Sequence, residues 1–278
     1  MELWIGTSGY VYPDWIGPFY PTGTTSAEML PFYAECFPLV ELNFSYYRTP
    51  TADQLANMAR LAHRDFQFIV KAHRSMTHER KKDSFDAFRK AVQPLRASRQ
   101  LLNVLCQFPQ RFHFNKTNQQ WLTIIREQLA ELPVAVEFRH HSWDRPEVAD
   151  WLQDEGITLI SVDVPDLPSI YPRKLVQTGR QIYVRFHSRR ADRWYVAGTE
   201  RYDYLYSDEE LLSWLNALAQ RDEETDRALL LFNNCWHANA ITNARRMVDL
   251  LSETDHPFRI ISPFGTDARK SSPVGLIP

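Results

Sequence analysis

The segment Val134–Phe138, VAVEF, is a short run of β-prone residues that contains one carboxylate, Glu137, and is followed directly by Arg139. Similar runs, rich in Val, Ile, Leu or Phe, recur along the chain. Apolar runs of this kind are typical of parallel strands buried on both faces. We identify eight of them: Glu2–Gly6, Leu39–Asn43, Phe66–Lys71, Leu101–Gln107, Val134–Phe138, Ile157–Val162, Gln181–His187 and Ala228–Phe232.

Segments with helical periodicity separate these runs. The first, Ser26–Phe37, begins at a candidate capping residue, Ser26, and repeats apolar residues at helical spacing. Further helices are predicted over Thr51–His63, Ser84–Ser98, Asn118–Glu131, Pro146–Glu155, Asp208–Arg221 and Ala238–Ser252. The segment Pro165–Arg180, which contains Pro168 and Pro172, is predicted to be an irregular loop.

The alternation of strands and helices predicts an α/β fold, a (β/α)8 TIM-barrel-like domain with a parallel eight-stranded barrel. A doubly wound open sheet remains the alternative, because a strand count does not prove closure. No linker, repeat or low-complexity segment divides the chain. We therefore predict one domain over residues 1–278, with a core at about residues 3–250 and a C-terminal extension over 251–278.

Composition excludes several classes of protein. The 278 residues include 32 Lys+Arg and 34 Asp+Glu, a formal charge of −2, which argues against binding nucleic acid through an overall basic surface. No apolar stretch approaches the roughly 20 residues of a membrane span, and the N-terminus lacks the pattern of a signal peptide. The three cysteines form neither a disulfide framework nor a CxxC motif, so we expect a cytoplasmic protein. Nucleotide-binding glycine loops, GxGxxG or GxxxxGK[ST], are absent from the sequence.

Polar side chains collect at the C-terminal ends of the predicted strands. Three strands carry polar residues two positions apart: Glu41 and Asn43, Glu137 and Arg139, Arg185 and His187. Alternate residues of a strand share a face, and the outward face meets apolar helices, so these pairs are predicted to point into the barrel. Single polar residues end other strands: Lys71, Gln107, Asp163, Asn233 and Asn234.

The C-terminal rim of a barrel is where TIM-barrel active sites are assembled. The concentration of charge at this rim therefore predicts a functional site. Structural ion pairs, such as Glu41 with Lys71 or Glu137 with Arg185, are the alternative, because buried charges also persist when they are paired.

Seven motifs in order resemble a known family. They are GTSGY-x4-W-x3-FYP from Gly6 to Pro21, VELNFSYYRTP, FQFIVKAHRSMTHE, LCQFPQRF, VEFRHHSW, YVRFHSR and LLFNN. They are similar to the YecE-like family, the domain of unknown function numbered 72, over about residues 3 to 250. The resemblance implies a TIM-barrel-like fold and supplies no reaction. Ser188 stands where RLHGR-type members have Gly, and Cys235–Ala238 lacks the expected Gly, so ligand preference is open there.

Two kinds of chemistry involve the acidic residues. Glu41 and Glu137 are candidate acid and base groups, as in glycoside hydrolysis, with His187 and Asp163 as further catalytic candidates. The same four residues offer ligands for a divalent ion, but Lys71, Arg139 and Arg185 would repel a cation. We therefore predict no metal site and no cofactor, with a divalent metal left open.

An anion site is the third option. Barrels bind phosphate in the loops after strands seven and eight, and here the loop after strand seven contains Arg189. The loop after strand three is also basic, and rim aromatics suit stacking on a sugar or base. The predicted substrate-binding residues are Asn43, Lys71, His78, Gln107, Arg139, His140, Trp143, Arg185, Arg189, Asn233 and Asn234. A nucleophilic Cys235 beside His237 is a weaker option.

The sequence favours an enzyme that acts on a polar anionic substrate, phosphorylated or of carbohydrate or nucleotide type, by carboxylate acid/base chemistry at the rim. Its reaction class, hydrolase, lyase or isomerase, stays open. The alternative is a non-catalytic protein that binds a nucleic acid fragment or a phosphorylated ligand. The expected partner is a small anionic molecule or nucleic acid fragment and not a membrane, and the sequence leaves the oligomeric state open.

Overall fold

A ring of parallel strands forms the centre of the protein. The computed structural model describes residues 1–196, 198, 200–221, 223, 225–254 and 256–263. The strands are β1 (Glu2–Ser8), β2 (Leu39–Leu42), β3 (Gln67–Lys71), β4 (Leu101–Gln107), β5 (Val134–Glu137), β6 (Thr158–Leu159), β7 (Ser161–Asp163), β8 (Gln181–Phe186), β9 (Arg227–Phe232) and β10 (Arg259–Ile260). All pairings between these strands are parallel.

The ring closes through one interrupted strand. The hydrogen-bonded order is β6-β5-β4-β3-β2-β1-β9-β8-β7, so β6 and β7 stand at its two ends. They are the two halves of the predicted sixth strand and are separated only by Ile160. The first half pairs with β5 and the second with β8. The predicted eight-stranded parallel barrel is thereby confirmed, with its sixth strand divided between two neighbours.

Helices follow the strands and cover the outside of the ring. They are α1 (Ser26–Cys36), α2 (Ala52–Leu61), α3 (Arg74–Thr77), α4 (Ser84–Ala97), α5 (Lys116–Gln128), α6 (Pro146–Asp154), α7 (Asp208–Ala219) and α8 (Asn239–Glu253). The short helix α3 was not predicted. The segment 165–180 contains no helix, as its prolines predicted. Thr25, not Ser26, caps α1: Glu28 accepts hydrogen bonds from the Thr25 backbone N–H and hydroxyl at 2.8 and 2.7 Å.

Side chains along each strand alternate between the outside and the inside of the barrel. On β8, Phe186 packs outward against Trp214 of α7, with ring centroids 5.8 Å apart. It also stacks on Phe232 of β9 at 4.5 Å, and the two residues are register partners. Register partners on parallel strands point to the same side. The intervening positions of β8, Tyr183 and Arg185, therefore point into the barrel.

The barrel continues past residue 250. Helix α8 ends at Glu253, and Arg259–Ile260 adds a short strand beside the start of β1. Of the predicted C-terminal extension, residues 264–278 lie outside the described residues. Among the helices that the structure describes, none has the length and apolar composition needed to span a bilayer.

Gly6 marks the closest approach of β1 to β2. A Cβ atom at this position would lie 2.5 Å from the backbone oxygen of Leu39. Gly6→Ala should therefore force the two strands apart and cost about 1–3 kcal/mol of unfolding free energy, as overpacking does. Urea denaturation measures this loss. Thr123→Ala, on the exposed side of α5, is the control and should change stability by less than about 0.5 kcal/mol. Equal effects of the two substitutions would contradict the steric argument.

Candidate functional site

A cavity of about 500 Å³ opens at the C-terminal ends of the strands. Polar side chains from six strand ends meet in it, as the rim pattern predicted. Loop residues after β1, β2, β8 and β9 complete its wall. The cavity is lined by Tyr12, Asp14, Asn43, Tyr47, Lys71, Gln107, Arg139, Arg185, Tyr202, Asn233, Cys235, Trp236 and His237.

Arg185 lies on the floor of this cavity and is 1% exposed. Its Nε and Nη2 donate to the two oxygens of Glu41 at 2.8 and 2.6 Å, a bidentate pair. Its Nη1 donates to Glu137. Tyr183 adds a hydroxyl hydrogen bond to Glu41 at 2.6 Å. The guanidinium is therefore held between two carboxylates that are themselves fully buried.

Glu137 links this pair to the cavity wall. Its Oε1 lies 2.6 Å from Arg139 Nε and 3.4 Å from His187 Nε2. Burial favours the neutral acid, but the charges of Arg139 and Arg185 and the contact with His187 hold the pKa of Glu137 well below its usual value. Glu137 is thus ionised at neutral pH, and it neutralises two arginines from beneath the cavity instead of facing a substrate.

His187 is buried in its neutral form. Asn233 Nδ2 lies 2.8 Å from His187 Nδ1, so a donating amide makes Nδ1 the acceptor and leaves the proton on Nε2, which faces Glu137. Burial and the nearby Arg139 charge lower the pKa of His187 to about 3, against the opposing effect of Glu137. His187 therefore contacts both Asn233, which lines the cavity, and Glu137, which lies beneath it.

Lys71 is the positive charge of the site that has no carboxylate partner. Within the described residues, no carboxylate oxygen lies within 4.0 Å of its Nζ, and its nearest aromatic contact is the Tyr46 ring at 4.9 Å. Burial, followed by the charge of Arg185, lowers its pKa from 10.5 to about 8. Because Arg139 and Arg185 balance Glu41 and Glu137, a protonated Lys71 leaves the cluster with one net positive charge.

Amide side chains complete the polar lining. Asn43 follows β2, and its Oδ1 is buried without a hydrogen-bond donor in the part of the chain that the structure describes. Gln107 donates through Nε2 to the Phe108 carbonyl at 2.8 Å and keeps its amide oxygen at the cavity. These groups offer a hydrogen-bond acceptor to hydroxyl or amino groups of a ligand.

Three predicted site residues face the helices and not the cavity. Asp163 is the register partner of Phe186, which points outward, and its carboxylate accepts from Arg189 Nε at 2.9 Å and Trp214 Nε1 at 2.6 Å. Asn234 donates to Asn243 Oδ1 of α8 at 2.8 Å. The structure therefore pairs Asp163 with Arg189 outside the cavity, where neither side chain reaches a ligand bound in it. Val162 is the register partner of the inward Arg185, so the next residue, Asp163, points outward.

His78, His140 and Trp143 also lie outside the cavity lining. His78 contacts Thr77 Oγ1 at 2.9 Å, and burial together with the Lys71 charge lowers its pKa to about 4. His140 accepts the Ser142 N–H at the start of a short helical turn. Trp143 is buried among aromatic rings and donates to the Phe112 carbonyl at 2.6 Å. Capping accounts for His140, and packing accounts for Trp143.

Neither a thiolate nor a metal ion has a ready place here. Cys235 Sγ donates to the Ser8 carbonyl at 3.3 Å, and burial raises its pKa to about 12, so the thiol stays protonated. His237 is exposed and donates its backbone N–H to Asp14 at 2.8 Å. Among the described residues, no group of three His, Cys, Asp or Glu side chains could hold a metal ion.

Sequence reasoning missed Tyr183 and most of the loop residues. Tyr183 continues the inward series of Arg185 and His187, so the spacing in YVRFH contained its signal. Asp14 and Tyr202 come from loops that meet only in the folded chain, and no spacing in the sequence indicates their approach. The aromatic walls of the cavity thus depend on tertiary structure.

The comparisons with known proteins agree with this geometry. A family model described as "Protein of unknown function DUF72" matches residues 4–265. The chain belongs to the DUF72 family. A curated relative, UPF0759 protein YunF of Bacillus subtilis (strain 168), is 32% identical over 269 residues, which cover 90% of this chain and 94% of that protein. Its name, like the family description, gives no reaction.

Solved structures of DUF72 proteins share the fold. One from Thermotoga maritima MSB8 is 36% identical, with a TM-score of 0.84, and the match covers 91% of this chain and 100% of that one. One from Enterococcus faecalis V583 is 25% identical, with a TM-score of 0.81, and the match covers 90% and 95% of the two chains.

In this DUF72 protein, the segment after β9, where the expected glycine is missing, has a backbone conformation that glycine favours. His237 and Ala238 have φ values of 51° and 61°, the left-handed region that glycine tolerates best. Such conformations cost of order 1 kcal/mol or more for other residues. The strain is retained where the loop after β9 reaches Asp14 in the loop after β1.

The neutral state of His187 predicts loss of stability in acid. Its pKa is about 3 in the folded protein and ordinarily 6.5, so below pH 6.5 the unfolded chain binds a proton that the folded protein does not. Its contribution to stability is complete above pH 6.5 and declines toward pH 3, by at most about 1.4 kcal/mol per pH unit. Denaturation of wild type and His187→Gln at pH 7 and pH 5 measures the difference. His237→Gln, at an exposed site, should keep the wild-type pH dependence.

Glu137→Gln should destabilise the fold. The substitution removes one of the two charges that neutralise Arg185, and leaving a buried charge uncompensated costs about 3–5 kcal/mol. Thermal and urea unfolding measure this cost. Glu147→Gln removes the exposed partner of Arg145 and is the matched control, with an expected loss below about 1 kcal/mol. A Glu137→Gln variant as stable as this control would show that the buried pair is dispensable.

Proposed function

We propose that this DUF72 protein is an enzyme that acts on a small polar anionic molecule, phosphorylated or of carbohydrate or nucleotide type, at the C-terminal mouth of the barrel. One observation carries the proposal. Lys71 and Arg139 both line the cavity, above the buried Arg185 and its two carboxylates, and the five groups together carry one net positive charge when Lys71 is protonated. The positive potential of the site is thus concentrated where a ligand would enter.

Arg139 is suited to bind the anionic group. Its Nε contacts Glu137 at 2.6 Å, and its side chain is 16% exposed. Within the described residues, no hydrogen bond engages its terminal nitrogens. The guanidinium packs over the Trp194 ring, 5.6 Å from the ring centroid. A planar guanidinium with free terminal N–H groups matches phosphate or carboxylate oxygens in a bidentate manner.

The carboxylates act on the substrate through the arginines. Glu41 has both oxygens engaged by Arg185, and Glu137 is held between two guanidiniums. This geometry supports a positioning role for them, in place of the acid/base role that the sequence suggested. Lys71 is the better proton carrier, because its pKa of about 8 lies near neutral pH and its side chain lines the cavity.

The cavity wall favours a ligand with a flat or ring-shaped part. Tyr47 is 74% exposed at the mouth, and Tyr12, Tyr202 and Trp236 line the same opening. Aromatic faces of this kind stack on sugars and bases. Asn43 and Asn233 would then orient hydroxyl or amino groups.

The cytoplasm remains our proposed compartment. All three cysteines, at positions 36, 106 and 235, are free thiols in the fold. Free thiols are usual in a reducing compartment.

Non-catalytic binding of a phosphorylated ligand or a nucleic acid fragment is the second candidate. The observation that favours it is the burial of both carboxylates, which are 0% exposed. Affinity for an oligonucleotide would fall steeply with salt, because phosphate contacts release counterions. A salt-insensitive small ligand that is converted to a product would exclude this candidate.

Arg139→Gln should weaken anion binding, and it should also lower stability because it removes one of the two arginines that contact the buried Glu137. Loss of the free guanidinium is expected to weaken the affinity for a bound phosphorylated compound at least about tenfold, or roughly 1.4 kcal/mol. Calorimetric titration of sugar phosphates and nucleotides measures the affinity. Arg145→Gln, on the rim but outside the cavity lining, is the control and should bind like wild type. Unchanged affinity in Arg139→Gln would remove Arg139 from the site.

A further inference from the structure

We infer that Lys71 acts as a free amine that forms an imine with a carbonyl group of the substrate, so that the substrate is a small aldehyde or ketone that also carries phosphate. This inference rests on the proposed function and names its substrate class. It follows from the isolation of Lys71, from its place in the cavity and from the position of Arg139.

Lys71 differs from the other described lysines in its surroundings. Lys81 pairs with Glu79 at 2.9 Å, Lys90 with Asp86 at 4.0 Å, and Lys174 with Asp144. Lys82 and Lys116 are exposed on the surface. Lys71 alone among the described lysines lines the cavity, and no carboxylate lies in contact with its Nζ. The neutral amine is the form that reacts with carbonyl groups, and an amine without a carboxylate partner loses its proton more readily.

The charges around Lys71 favour the neutral amine. Burial and the guanidinium of Arg185 outweigh the two carboxylates below it. The lowering of its pKa from 10.5 to about 8 raises the neutral fraction at pH 7 roughly 300-fold. The charged and titratable groups that face Lys71 are Arg185 from β8, Glu41 from β2, Glu137 and Arg139 from β5, and His78 from the segment after α3.

The reaction needs no redox partner. The lone pair of the Lys71 Nζ attacks the carbonyl carbon, and the carbonyl oxygen takes a proton to give a carbinolamine. Loss of water from the carbinolamine forms the C=N bond, and protonation gives a cationic iminium. The iminium withdraws electrons from the adjacent carbon, and water hydrolyses it after the substrate has reacted.

Arg139 fixes the orientation of the substrate. Its free terminal nitrogens would hold the phosphate, which places the carbonyl group toward Lys71 in the same cavity. The phosphate charge then stabilises the cationic iminium as it forms. A site that combines a free guanidinium with a free amine thus selects phosphate-bearing carbonyl compounds over neutral ones.

Reductive trapping tests the inference on the full chain. The protein is incubated with glyceraldehyde 3-phosphate and sodium cyanoborohydride, and intact mass and peptide mapping locate the adduct. We expect one adduct at Lys71, absent in Lys71→Arg and retained in Lys82→Arg, a matched exposed lysine. Glyceraldehyde, which lacks the phosphate, should label Lys71 at least about tenfold more slowly. Mapping on the wild type places the adduct even if Lys71→Arg folds poorly.

Glycerol 3-phosphate carries phosphate without a carbonyl, so it distinguishes the anion site at Arg139 from imine formation at Lys71. If it binds by calorimetry while glyceraldehyde 3-phosphate leaves no adduct on Lys71, the imine is overturned and the anion site stands. Equal labelling of Lys71 by both aldehydes supports the amine and contradicts the anion site. Adducts spread over Lys81 and Lys82 at the rate of Lys71 overturn the inference, as does the absence of both binding and adduct.

Discussion

A guanidinium in the middle of a barrel must be neutralised by groups that are buried with it, and in this protein Arg185 imposes that requirement. Its fork takes both oxygens of Glu41 and one of Glu137, so β2, β5 and β8 are tied together through the interior. Tyr183 donates a further hydrogen bond to Glu41, and His187 Nε2 lies 3.4 Å from Glu137. Charges removed from water are tolerated only when oppositely charged groups are buried beside them. The arrangement of polar side chains inside the barrel thus follows from the need to neutralise Arg185.

The same pairing decides what the cavity presents to a ligand. Both buried carboxylates are paired with arginines, so the mouth of the barrel is lined by amides, aromatic rings, cationic side chains and one carboxylate, Asp14. Arg139 shares Glu137 and still offers its terminal nitrogens. No carboxylate contacts Lys71 among the described residues, and burial lowers the pKa of its amine to about 8. The buried charges and the cavity lining therefore form one network.

Strand periodicity predicts much of the site because a barrel has only two faces. The alternation in YVRFH and in the strands of Glu41 and Glu137 correctly places these groups together inside the ring. The same alternation turns Asp163 outward, because Val162 pairs with the inward Arg185 and the next residue therefore faces the helices. The prediction placed Asp163 at the rim from its position at the end of the strand. The phase of that strand depends on its register with β5 and β8, which the sequence alone does not show.

Loop contributions are also beyond the reach of periodicity. Asp14 contacts the segment at His237 only because the closed ring places β1 and β9 side by side. Their contact depends on the left-handed backbone at two residues that are not glycine.

The divided strand gives the ring a mechanical seam. Two residue pairs join β6 to β5, as few as the two that join β1 to β2, and three join β7 to β8, whereas six join β1 to β9. Local opening of a sheet begins where the fewest backbone bonds must be broken together. Amide protons beside Ile160 therefore exchange with solvent before those of β1 and β9. Because Arg139 follows β5 and Arg185 lies on β8, the strands that border the seam, a breathing motion there changes the distance between the two arginines and the width of the cavity mouth.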